Sequence, residues 1–283
     1  MTNKIIALVD GSVYAHSVCD HAAWIALRTG AGVELLHVLG RRSPPKQDLS
    51  GAIRLGARTQ LLNELTELEA RSAKLATEQG RAILEDAQTF LTEDGVKDVA
   101  ARLRHGDLVE TVHEVEADAS LIVIGKRGEA ADFAKGHLGS NLERVVRASH
   151  KPVLVAARSF NSIETVLVAY DGAASSEKAV QWIAKDPLFK GLAVRLVYVG
   201  EATPSISNKL EAARDDLVQS GLSVEVSIEP GQPDKVLGKM VEDLGHGLVV
   251  MGAYGHSRIR TMIIGSTTSE MIRSCKASIL LVR

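Results

Sequence analysis

Two stretches of the chain combine glycines, serine and a flanking apolar run in a way that suits anion binding. In "VVMGAYGHSRIRTMIIGSTTSEMI" (249–272) the spacing is Gly252-x2-Gly255-x9-Gly265-Ser266. Earlier the same arrangement reads Gly125-x2-Gly128-x10-Gly139-Ser140. Each loop leaves an apolar run and ends where a helix-like stretch begins, "STTSEMIRSC" or "SNLERVVRAS". Glycine lets the backbone pass close to a bound group and adopt positive φ. The free amides and dipole at a helix start then favour an anion such as phosphate. Ser140 or Ser266 can add a hydroxyl donor and cap its helix. The plainer alternative is a capped helix after a glycine-containing turn. The occurrence of the pattern twice, each time alongside an aspartate at the end of an apolar run, favours a site.

Those aspartates, Asp10 and Asp171, lead to the elements that must position the loops. "KIIALVDGS" (4–12) and "TVLVAYDGA" (165–173) each read as a buried strand ending in Asp-Gly, followed by a helix-like segment. A second apolar run follows, "GVELLHV" (32–38) or "AVRLVYV" (193–199), and Asp10 and Val38 are 28 residues apart, as are Asp171 and Val199. The runs "ASLIVIGKRG" (119–128) and "HGLVVMGAYG" (246–255), then "KPVLVAA" (151–157) and "ASILLVR" (277–283), complete the correspondence. The chain is a tandem repeat of one unit. Alternating strands and helices predict an α/β fold: two Rossmann-like domains, 1–158 and 163–283, each a mostly parallel five-stranded sheet flanked by helices. In such sheets ligands bind beyond the C-terminal ends of the strands, where strand order reverses. Asp10, Val38 and Gly125, and likewise Asp171, Val199 and Gly252, fall at those ends.

The copies differ in length. Val38 to Gly106 spans 68 residues, against 32 from Val199 to Gly231. The extra segment, about 41–90, reads as mostly helical: Leu61, Leu62, Leu65, Leu68, Leu75 and Ala76 recur at helical spacing, with Glu67 and Arg71 as an i,i+4 pair. A helix covering the sheet is the expectation, a lid or partner surface the alternative.

Composition narrows the class. The chain has 283 residues, 45% hydrophobic and 24% charged, with a net charge of −2. Such a balance argues against nucleic acid or an anionic membrane as partner, so any anion site must be local. The opening "MTNKIIALVDGS" breaks at Asp10 and does not read as a signal peptide, and no run reaches about 18 consecutive apolar residues. Cys19 and Cys275 fit buried thiols in a reducing compartment. The expected location is cytoplasmic.

With order, spacing and repeat in place, the chain resembles a tandem universal stress protein, the resemblance covering essentially all of it. The nucleotide-binding signature of that family, G-x2-G-x9-G-[ST] with an aspartate ending the first strand, is matched in full by the second copy. The "HV" and "YV" that end the second strand, and "KPVLV" as the last strand, also fit. The resemblance implies an ATP site, with Mg²⁺ as a companion ion. Asp171 would sit by the adenosine, the Val199 backbone would read the adenine edge, and amides around Gly252, Gly255, Gly265 and Ser266 would hold the phosphates. Asp10, Val38, Gly125, Gly128, Gly139 and Ser140 would take those roles in the first copy. The aspartate must face ribose, base or metal, because a carboxylate beside bare phosphate would repel it. Arg258 and Arg260, or Lys126, Arg127 and Lys135, can offset phosphate charge, or can simply be solvated surface cations. The first loop departs from the pattern by one extra residue and carries Glu129 and Asp132, so the C-terminal site is the stronger candidate. The resemblance also implies an internal pseudo-dimer, with "KPVLVAA" meeting "ASILLVR"; further self-association is left open.

Other chemistry is weaker. "LGKM" (237–240) is not a P-loop, and no HExxH or paired CxxC suggests zinc. His16 and His21 are five apart, off one helix face. "VDGS" lacks the flanks of a nucleophile elbow. Three functions remain: a nucleotide-binding stress factor acting through shape or partners, a slow ATP-hydrolysing enzyme of the same fold, and an interaction protein whose loops are silent. Turnover separates the first two, and binding separates both from the third.

Overall fold

The computed structural model describes residues 4–40, 55–128, 140–244, 247–253 and 265–283. Its strands are β1 (Lys4–Leu8), β2 (Gly32–Leu39), β3 (Val99–His105), β4 (Ala119–Gly125) and β5 (Val153–Ala156), then β6 (Thr165–Ala169), β7 (Ala193–Val199), β8 (Ser223–Glu229), β9 (Gly247–Gly252) and β10 (Ser278–Val282). The helices are α1 (Ala15–Thr29), α2 (Leu55–Glu93), α3 (Leu108–Val115), α4 (Ser140–Ala148), α5 (Ala174–Lys185), α6 (Pro204–Gln219), α7 (Pro233–Leu244) and α8 (Ser266–Ser274). The expected α/β repeat is present in this order.

All ten strands join one sheet, β3-β2-β1-β4-β5-β10-β9-β6-β7-β8. Every neighbouring pair is parallel except β5 with β10, which run antiparallel with Leu154 opposite Leu280. The two halves thus repeat one strand order about a pseudo-two-fold axis at that pair. The inner strands are continuous apolar runs because helices cover both faces. One face packs Val18, Ala22 and Ile25 of α1, Leu84 and Leu91 of α2, Val180 and Ile183 of α5, and Leu210 and Leu217 of α6. The other packs Val112 of α3, Val145 of α4, Leu237 and Val241 of α7, and Met271 and Ile272 of α8.

Polar groups also cross the seam. The Ala157 N–H donates to Ser278 Oγ at 2.9 Å, and Ser278 Oγ lies 2.7 Å from His21 Nε2. Arg28 of α1 donates from Nε to the Leu188 carbonyl at 2.8 Å, tying the halves together on that face. No described helix is long and apolar enough to cross a membrane.

The long insertion corrects one expectation. It is a single 39-residue helix, but the leucines that suggested a sheet-covering face do not cover it. Leu62, Leu65, Leu68 and Leu75 are exposed, and burial begins near Gly80. Residues 41–54 lie outside the described residues.

Candidate functional site

In each half the first strand delivers its aspartate to the sheet's C-terminal edge, between the ends of two neighbours. β6 lies between β9 and β7, with Ala169 registered against Met251 on one side and Val197 on the other. Asp171, Val199 and Gly252 are therefore brought to three adjacent strand ends, at the point where the strand order reverses. β1 lies in the same way between β4 and β2, which places Asp10, Val38 and Gly125 equivalently.

Local bonds fix each aspartate. Asp171 Oδ1 accepts from the Ala173 N–H at 2.9 Å and from Ser176 Oγ at 2.7 Å. The turn that follows depends on Gly172 at φ +71, where a side chain would be strained. Lys209 of α6 donates to the Gly172 carbonyl at 2.7 Å and lies 3.7 Å from Glu177, adding a cation to this rim that the sequence pattern did not suggest. Asp10 Oδ1 accepts from the Ser12 N–H at 3.0 Å.

The glycines mark close approach. A Cβ on Gly252 would lie 2.5 Å from Ser175 Oγ and 2.7 Å from Ser175 Cβ, at the start of α5. Its counterpart on Gly125 would lie 2.7 Å from Tyr14 Cβ, and one on Gly128 would lie 2.8 Å from Asp10 Oδ2. The first loop thus begins directly on its aspartate. Tyr14 stands where the second half has Ser175, a difference invisible until the glycine opposite is placed.

Gly265 is the N-cap of α8, Ser266 its first residue, and no side chain among the described residues caps the helix. The expectation that Ser266 caps α8 is therefore corrected: Ser266 lies one position too far along, exposed at the first turn. Among the described residues no side chain accepts from the first-turn amides of α8, the position at which a helix start can meet an anion. Ser140 likewise opens α4. Gly139, Gly255, Arg258, Arg260, Glu129, Asp132 and Lys135 lie outside the described residues.

A cavity of about 390 Å³ opens beside the first loop, lined by Tyr14, Lys126, Arg127, Arg158, Arg273 and Lys276 among others. Neither Asp10 nor Val38 lines it, so it flanks the crevice rather than filling it. Lys126, offered by the sequence as either a phosphate partner or a solvated surface cation, donates to the Cys275 carbonyl at the end of α8, and burial pushes its ammonium pKa down. Lys276 pairs with Glu242 at 2.9 Å, and Arg273 pairs with Glu270. Arg127 and Arg158 have no ion-pair partner among the described residues. Sequence spacing could not find this wall, since its residues come from both halves.

Cys19 and Cys275 are free and buried. Burial, aided by Asp20 and Asp94, pushes the Cys19 thiol up to about 12, which leaves it unreactive. His16 is an exposed partner of Asp20, and His21 points into the core, so they do not converge on an ion.

The fold defines a tandem α/β protein with two Rossmann-like halves in one sheet. The sequence profile of the Universal stress protein family matches residues 1–157 and again 162–283, and the chain belongs to that family. Universal stress protein Slr1230 of Synechocystis sp. is 36% identical over 285 residues, spanning 99% of each chain. Universal stress protein YxiE of Bacillus subtilis is 27% identical, with 99% of its length matching 55% of this chain. In fold, the crystal structure of a universal stress protein from Archaeoglobus fulgidus matches with a TM-score of 0.76, covering 100% of this chain and 99% of its own at 21% identity.

Proposed function

We propose that this protein is an adenine-nucleotide-binding regulator in the stress response of a cytoplasm, with ATP and Mg²⁺ held at the C-terminal edge of the second half. The observation that carries the reading is the convergence of Asp171, Val199 and Gly252 on adjacent strand ends, one loop away from α8, whose first-turn amides have no side-chain cap among the described residues. Asp171 takes the ribose side, the Val199 backbone takes the base, and the amides at Gly255, Gly265 and Ser266 take the phosphates. The first half offers Asp10, Val38, Gly125, Gly128, Gly139 and Ser140 in the same roles, with Arg127 rather than Lys126 as the nearby cation. Its longer loop makes it the weaker site.

The role we assign is regulatory, in keeping with the family to which the chain belongs, and a turnover assay separates it from slow ATP hydrolysis. In this reading the occupied state differs in shape or partners from the empty one.

The test is calorimetric titration of the nucleotide-stripped chain with Mg-ATP. One site per chain fits an intact C-terminal pocket beside a degenerate one, and two sites mean the extra loop residue is harmless. Absence of binding overturns the proposal and leaves an interaction protein, whereas multiple turnovers would make it an enzyme. Gly255→Glu is expected to abolish binding at the C-terminal site, by setting bulk and negative charge against the phosphates. Asp171→Ala should weaken binding more than Asp10→Ala; equal losses would reverse the ranking of the halves.

A further inference from the structure

Away from the crevice, three potential metal ligands meet at the opposite edge of the sheet. His113 is in the last turn of α3, Glu116 opens the short 3₁₀ turn Glu116–Asp118 that leads into β4, and His150 lies between α4 and β5. Their ligand atoms all lie within 4.8 Å of one another. Glu116 Oε1 is 3.2 Å from His113 Nδ1 and 2.9 Å from His150 Nδ1. A tetrahedral zinc with bonds of about 2.0–2.1 Å sets its ligand atoms about 3.3 Å apart, close to these spacings.

The carboxylate is built in. The Glu116 side chain is 5% exposed, against 67% and 66% for the two imidazoles. Its other oxygen, Oε2, accepts from Ser149 Oγ at 2.7 Å and from the His150 N–H at 3.2 Å. Those two bonds aim Oε1 at both rings, in the manner of the outer-shell partners that orient metal ligands. Lys151, next to His150 in the chain, is engaged with the Ala117 carbonyl at 3.1 Å.

We propose that His113, Glu116 and His150 form a divalent transition-metal site, with zinc as its ion. Two imidazoles and one carboxylate suit zinc and leave its fourth position to water, while magnesium prefers all-oxygen surroundings. Neutral imidazoles offer Nδ1 to the ion once the ring proton resides on Nε2. The ion clamps the α3–β4 turn to the α4–β5 turn, next to the seam, where Arg283 Nη1 donates to the Ser149 carbonyl at 2.9 Å. No metal motif announces the site, because the third ligand is 34 residues from the second and only the fold joins them.

The test uses the full chain, stripped with a chelator and titrated with Zn²⁺ in competition with a chromophoric chelator. Co²⁺ then serves as a probe, with visible absorption reporting tetrahedral ligation. Expected are one equivalent bound, a rise in melting temperature with zinc but not magnesium, and loss of both in His113→Ala and His150→Ala. Both histidines are exposed, so circular dichroism should show these variants folded. Ser149→Ala should weaken uptake about 10–100-fold by freeing the carboxylate, and His16→Ala should leave it unchanged. Uptake that survives both His113→Ala and His150→Ala, or no competitive uptake by the unmodified chain, overturns the proposal.

Discussion

Asp171 combines a structural and a ligand-facing role, and two substitutions separate them. Its Oδ1 accepts from the Ala173 N–H and from Ser176 Oγ at the start of α5. Asp171→Ala removes that acceptor and should cost about 1 kcal/mol of stability, as the loss of a helix-start cap does. Asp171→Asn keeps an oxygen there and discards the charge, so its stability should stay near that of the unmodified protein. If Asp171 faces ribose or metal, the asparagine variant should still bind Mg-ATP less tightly, which denaturant melts and calorimetry on the same sample would show. Gly252 makes a separate case, because its constraint is space. A methyl there would lie 2.7 Å from Ser175 Cβ and 3.0 Å from the Ser175 carbonyl carbon, and neither is a flexible side-chain end. Gly252→Ala should therefore destabilise by about 1–3 kcal/mol, measured by urea unfolding. No change would mean that α5 can move aside.

The insertion helix α2 shows what periodicity can and cannot tell at the scale of an element. Helical spacing of Leu61, Leu62, Leu65, Leu68 and Leu75 indicates a helix, and a helix is there. The same spacing suggests that those leucines face the sheet, and they do not. A 39-residue helix is about 58 Å long at 1.5 Å per residue, while the eight residues of β2 span about 26 Å, so α2 must overrun what it covers. The covered part is set by Gly80, whose missing side chain lets α2 close onto His37 and Leu103, and by Leu84, Ala87 and Leu91. Periodicity encodes a face but not which stretch of it finds a partner. The expected outcome is a sharp contrast: Leu91→Ala should cost about 2–5 kcal/mol, and Leu68→Ala, 63% exposed, should stay within about 0.5 kcal/mol. The strands were easier to read, because a run such as "KIIAL" is buried on both faces and has no choice to make. The crevice residues at strand ends followed from the repeat and the resemblance. Tyr14 opposite Ser175, the wall containing Arg158, and the cluster at Glu116 did not, since they depend on which distant segments the fold sets side by side.

Across the whole molecule, the repeated last strands made the seam legible as β5 against β10, but not what is buried beside it. His21 of the first half and Ser278 of the second are 257 residues apart in sequence, yet Nε2 and Oγ lie 2.7 Å apart. His21 Nδ1 lies 2.6 Å from the Ser17 carbonyl, which requires the proton on Nδ1 and makes Nε2 the acceptor for Ser278 Oγ. The Phe160 ring meets the imidazole edge-on, and Asp20 is the neighbouring acid. Burial lowers the His21 pKa from 6.5 to about 4, against the opposing effects of the Ser17 carbonyl and Asp20. Between those values the unfolded chain binds a proton that the folded chain refuses, so stability rises with pH through that window. The contribution is present in full above pH 6.5 and is lost as pH falls toward 4; a shift of this size corresponds to about 3 kcal/mol. His21→Gln keeps a donor for Ser17 and an acceptor for Ser278 but does not titrate. Urea unfolding at pH 7.5, 5.5 and 4.5 should give an unmodified protein that weakens faster with acid than the variant. Carboxylates held low in the fold, Asp107 and Glu116 among them, weaken both proteins alike near the bottom of the range, so the difference between the two curves isolates the seam histidine. Parallel curves would mean that His21 takes up its proton inside the fold, with Asp20 or entering water to hold it. The join between the halves would then be wetter than its packing suggests.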